Sequence, residues 1–207
     1  MTWEDHLPKS LGDLYEIYDY RHAAALLATE FPQEFSELCE AFMAFRISVA
    51  DIITPGGNES TIPKKISALL RPKGWREEQL KAELVVDGNS IQADTHKVDY
   101  LKGRVAFDLE WNSKDQTFDR DLFAFRSFHE FNKISVGVLM TRSANLNDVF
   151  GSLGKDIKQK YGASTTWMGK LIPRLNAGRA GGCPLLILGI TPNLILDWKE
   201  GPVDEHE

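Results

Sequence analysis

The segment from Val105 to Trp111, VAFDLEW, constrains this chain more than any other, because Asp108 and Glu110 alternate with Phe107, Leu109 and Trp111. In a strand successive side chains point to opposite faces, so the aromatic and leucine side chains share one face and the two acids the other. Spacing alone also fits the solvated face of an edge hairpin. The apolar flanks, VAF before the acids and Trp111 after them, point instead to a buried central strand. Two neighbouring carboxylates in such a strand repel unless a cation lies between them. Asp99, nine residues upstream in HKVDYLKGRVAFDLEW, is a third acid able to meet them. Three convergent carboxylates suit Mg²⁺, which takes a few oxygen ligands and leaves room for substrate phosphates, the layout of a metal-dependent phosphodiesterase.

A chain of 207 residues with 43% hydrophobic and 10% aromatic residues fits one large domain over 1–207. Its first residues, MTWEDHLPKS, lack the basic and apolar regions of a signal peptide, and no apolar run approaches the roughly 18 residues of a membrane span. A soluble, cytoplasmic protein is expected. Cys39 and Cys183 lie far apart without metal-ligand spacing and read as reduced structural thiols. The net charge of −6 is unevenly spread: from Ile157 to Leu196 there is no acid, while Lys158, Lys160, Lys170, Arg174 and Arg179 are all cationic.

Along the chain, residues 13–30 are alanine and leucine rich and read as a helix ending before Pro32. A second helix is expected from the stripe Phe35, Leu38, Cys39, Phe42, Phe45 and Val49, broken by TPGGNES. A third lies within 62–74. ELVVDGNS carries a strand with an Asp-Gly turn signal, followed by the strand VDY, a turn at Lys102 and Gly103, and the strand RVAFDLEWN. RDLFAFRSFHEFN is read as a helix packed on a sheet, ISVGVLMT and PLLILGI as buried strands, and the end of the chain as a short tail. The order predicts an α/β fold with a mixed central sheet flanked by helices.

These residues resemble the PD-(D/E)XK nuclease core and, within it, the BglII/BstYI family of type II restriction endonucleases. DYLKGRVAFDLEW is the strongest match, with PKGW at 72–75 and the small-residue run into CPLLILGI as weaker ones. Together they cover roughly residues 62–192 and leave the N-terminal helices, 1–60, unmatched. The resemblance implies that Asp99 is the first metal-binding acid and Asp108 the second. Glu110 falls where the family commonly has Gln and many related nucleases have Lys, and a Glu there resembles the arrangement in BamHI. It further implies Mg²⁺ as cofactor, double-stranded DNA as substrate, a homodimer on a short palindromic site, and a DNA methyltransferase as genetic neighbour. Glu110 would then bind metal, hold the attacking water, or both.

Other residues are weighed beside these. Lys114 is a candidate phosphate contact if the strand runs on past Glu110, and Glu78 an accessory acid or a plain surface one. Contacts to DNA are sought in Arg142 and, within the acid-free segment, in Ser164, Thr165, Thr166, Lys170, Arg174 and Arg179, because cations neutralise phosphates and hydroxyls donate to them. His96, Asp119, Arg120, Asp121 and His129 are given no catalytic role, DRD reading as a helix N-terminus. The competing functions are a repair or structure-specific nuclease, a non-catalytic DNA-binding module and a small-molecule phosphoesterase.

Overall fold

The computed structural model describes residues 2–55, 60–81, 83–92 and 96–198. A short helix α1 (Lys9–Leu14) runs directly into strand β1 (Tyr15–Tyr20), and helices α2 (Ala23–Glu30), α3 (Pro32–Ala44), α4 (Val49–Ile53) and α5 (Thr61–Leu70) follow. Then come β2 (Arg76–Gln79), the hairpin β3 (Glu83–Val86) and β4 (Asn89–Gln92), and the hairpin β5 (Lys97–Lys102) and β6 (Val105–Leu109). Helix α6 (Thr117–Glu130) leads to β7 (Val136–Arg142). Helices α7 (Leu146–Ser152), α8 (Lys155–Lys160) and α9 (Met168–Asn176) lead to β8 (Leu185–Ile190).

Six strands form one mixed sheet in the order β1-β8-β7-β6-β5-β2; β6, β7 and β8 are parallel, and the remaining neighbours are antiparallel. The parallel strands are buried throughout, which is why they read as almost unbroken apolar runs. Asp108 interrupts one of them. Helices α1 to α5 cover the face bearing Phe107, Val138 and Leu188, where Phe107 packs on Tyr100 and Phe42 with ring centroids 5.3 and 5.2 Å apart. Helices α6 and α9 cover the face bearing Ala106, Leu139 and Ile187. Gly137 makes that second layer close: a Cβ there would lie 2.5 Å from Leu185 and 2.6 Å from Phe125. Among the described residues no helix is long and apolar enough to cross a membrane.

The N-terminal third departs from expectation. Residues 13–30 are the end of α1, a strand and a second helix, not one helix, because Tyr15, Ile17, Tyr18 and Tyr20 are of the aromatic and β-branched types that suit a sheet, and β8 offers an edge to pair with. Arg21 and His22, both in the left-handed region, turn the chain, and the Asp19 carboxylate accepts from the Ala24 N–H at the start of α2. The helix expected around Phe35 to Val49 is likewise two pieces. It stops at Phe45, and Ser48 with Asp51 forms a capping box that starts α4. The TPGGNES break lies mostly outside the described residues, as does the end of the chain from residue 199. The Asp-Gly turn is present, with Asp87 and Gly88 both at positive φ between β3 and β4.

Candidate active site

The β5–β6 hairpin places two acids side by side. Its register pairs Tyr100 with Phe107, so the next residues outward are Asp99 and Asp108, and cross-strand partners project from the same face. The Asp99 N–H donates to Asp108 Oδ1 at 2.5 Å. Asp108 is only 4% exposed, on the face covered by α6, whereas Asp99 is exposed.

Strand β6 ends at Leu109, yet Glu110 is not free to wander. Its N–H donates to the Met140 carbonyl at 2.9 Å, and its own carbonyl accepts from Thr141 Oγ1 at 2.8 Å and Thr166 Oγ1 at 3.4 Å. With its backbone pinned, its side chain, in a residue 8% exposed, lies beside the first turns of α6. There Arg120 Nη2 reaches Glu110 Oε1 at 3.5 Å and Asp121 Oδ1 at 3.1 Å, and Asp121 is itself 4% exposed.

Four carboxylates thus share one end of the sheet, and the Arg120 guanidinium touches two of them. All four pKa values are pushed up, by burial first in each case. Asp108 is held well above the ordinary carboxylate range, with Asp99, Asp121 and Glu110 adding repulsion against the hydrogen bond from Asp99. Asp121 is pushed up to about 8, by burial and then by Glu110, with Arg120 opposing. Burial also raises Glu110, whose rise is limited by a hydrogen bond with Ser113, then by Arg120 and by the hydrogen bond with Asp121. The crowding of protein around the Asp99 carboxyl, and then Glu77, raise it despite its exposure, while Arg71 pulls it down.

Among the described residues no three His, Cys, Asp or Glu side chains are gathered tightly enough to form a ready-made cation cage. The fit to a cation is nevertheless good in two respects. The donors are all carboxylate oxygens, the choice of a hard cation such as Mg²⁺. Asp121 Oδ2 is also buried and receives no N–H or O–H from another residue; its side-chain hydrogen bond is with the Glu110 carboxylate, so the two acids hold a proton between them that a cation would replace.

A sequence profile described as restriction endonuclease BglII/BglIII matches residues 15–190, from the first residue of β1 to the last of β8. The chain belongs to the BglII/BglIII restriction endonuclease family. No curated protein matches it in sequence. The family assignment makes it a nuclease acting on DNA, with the mixed sheet and flanking helices of the PD-(D/E)XK-like fold. It also takes in β1 and helices α2 to α4, which the motif matches in the sequence had not reached.

Within this family member the other expected contacts scatter. Lys114 is exposed but forms an isolated bridge with Thr165, beyond the end of β6, so it does not continue the acids' face. Glu78 pairs with Lys133 at 3.5 Å, and it is Glu77 whose charge reaches Asp99. Arg142 is 1% exposed and spends its guanidinium on the carbonyls of Trp111 and Thr166, so it is turned inward and not toward the surface where DNA was expected. Thr166 is buried and Thr165 bonds Gly162 and Arg142, so both hold the loop together, whereas Ser164 is exposed. Arg174 and Arg179 both pair with Asp119, and Arg174 and Lys170 also lie near Asp115 at 3.5 and 3.9 Å.

Arg120 and Asp121 were passed over in the sequence and stand in the site. One signal was available. In a parallel β-α-β unit the helix starts where the first strand ends, so the first turns of α6 must pack beside acids at the end of β6.

Proposed function

We propose that this chain is a type II restriction endonuclease that hydrolyses phosphodiester bonds at a short palindromic site in double-stranded DNA, with Mg²⁺ as cofactor. The observation that carries it is the pairing of Asp99 with Asp108 across the β5–β6 hairpin, with Glu110 two residues on. Asp99 and Asp108 would hold the cation, with Glu110 as a third ligand or a base. Bound there, Mg²⁺ supplies charge neutralisation at the phosphate and acidifies water near neutral pH. The burial that raises Glu110 fits it to accept the proton of the attacking water as the new oxygen–phosphorus bond forms and the sugar oxygen departs.

A homodimer suits a palindromic site, because two-fold protein symmetry matches two-fold site symmetry. Lys170 and Arg179, with Ser164, supply cationic and hydroxyl groups for the duplex. A cytoplasmic location and a DNA methyltransferase encoded beside it belong to the same role. The test is digestion of a plasmid of known sequence with Mg²⁺ and with EDTA, followed by mapping of the ends. Discrete ends sharing a palindrome are expected in Mg²⁺ alone. Ends without a common sequence would mean a structure-specific nuclease, and equal cleavage in EDTA would remove the metal from the reaction.

A further inference from the structure

We propose that Asp121 is a fourth carboxylate of the cation site and that Arg120 is a counter-ion which the arriving cation displaces. The inference rests on the reading of Asp99 and Asp108 as cation ligands and extends it to a different element, α6. A buried Asp kept for structure alone should have both oxygens satisfied. Asp121 has one, Oδ1, on Arg120 Nε at 3.2 Å and Nη2 at 3.1 Å, while Oδ2 is buried and receives no donor, the neighbour it bonds being another acid, Glu110. Nor does it cap its helix: it is the fifth residue of α6, past the first turn, and no side-chain cap bond is made there.

The charge balance points the same way. Glu110 and Asp121 press together with Arg120 paired to both, and Arg120 itself is about half exposed, with 47% of its side chain open. Its contact with Glu110 is long, at 3.5 Å. A guanidinium held in this way by two carboxylates is a loose stand-in for a divalent cation. Once displaced, it lies at the mouth of the site, where a phosphate would arrive.

Mn²⁺ titration of the whole protein, followed by the loss of the free-ion magnetic resonance signal and by the rise in melting temperature, tests this without any cleavage. Asp121→Asn should weaken Mn²⁺ binding by about tenfold or more. Asp121→Ser should do the same, so that a folding defect in either variant does not decide the matter. Arg120→Gln should tighten binding by about threefold, since a competing positive charge is gone. The control is Asp108→Asn, which should abolish binding. Binding lost in Asp108→Asn but unchanged in both Asp121 variants would overturn this inference and leave the paired-acid site standing. Binding absent in wild type would overturn both, and weaker or unchanged binding in Arg120→Gln would end the role of Arg120 as the displaced counter-ion.

Discussion

Replacing Arg142 by Met separates the role its position in the sequence suggests from the one its surroundings impose. The guanidinium donates from Nε to the carbonyls of Trp111 at 2.8 Å and Thr166 at 3.0 Å, and from Nη2 to Thr165 Oγ1. It is ringed by Tyr161, Phe150 and Trp111 with centroids 5.0, 5.4 and 6.0 Å away. Burial, with no paired carboxylate among the described residues, pushes its pKa down to about 10. Met keeps the apolar stem but leaves two or three buried acceptors without donors, at about 1–3 kcal/mol each. Against that stands the return of several kcal/mol spent on desolvating the charge. A net loss of about 3 kcal/mol is expected, which for a chain of this length lowers the melting temperature by about 6–12 °C. Thermal denaturation in EDTA measures it. A melting temperature within about 2 °C of wild type, together with lost DNA affinity in Ca²⁺, would refute the reasoning and return Arg142 to the DNA.

Asp108→Asn should cut cleavage on the order of 10²-fold or more while melting no lower than wild type in EDTA, since a buried repulsion is removed; normal cleavage would clear Asp108 of any part in the chemistry. Glu110→Gln should keep part of the activity, because it retains the shape and an acceptor oxygen, whereas Glu110→Ala should lose on the order of 10²-fold, and equal rates for Ala and wild type would exclude Glu110. Without metal, stability should fall as pH rises from about 4 to about 8, because folded Asp121 still holds a proton that the unfolded chain has released. The melting temperature of Asp121→Asn minus that of wild type should therefore widen over this range, and a constant difference would contradict the raised pKa. Arg179→Ala should weaken duplex binding in Ca²⁺ and lower the slope of log K against log salt by about one, with little change in melting temperature. An unchanged slope would leave Arg179 as a partner of Asp119 alone.

The central layer was legible because its signals are local. A period-two alternation with two acids on one face, an Asp-Gly turn, and apolar runs in β7 and β8 bounded by small residues are read over five to ten positions, and each is present where the pattern put it. The facing of Asp99 and Asp108 was also within reach, since a tight turn at Gly103, at positive φ, sets the register of β5 on β6. Residues 15–20 were not legible in this way. Their tyrosines and isoleucine suit a helix face or a strand until an edge is offered, and the edge comes from β8, whose pairing joins Tyr15 to Ile190.

Charge was decided last and only in three dimensions. The segment from Ile157 to Leu196 has no acid of its own, yet folding brings Asp119 onto Arg174 and Arg179 and Asp115 near Arg174 and Lys170, so much of its apparent basic surface is already paired. Arg142 looked like a surface cation at a strand end and became the buried tie between two loops. Asp121 looked like helix-terminal charge and became a buried acid against Glu110, paired through one oxygen with Arg120. A sequence states which residues are charged and how they alternate along one element. Which charges neutralise one another, and which are left buried without a partner, depends on distances between elements far apart in the chain, and Coulomb and desolvation energies act through those distances.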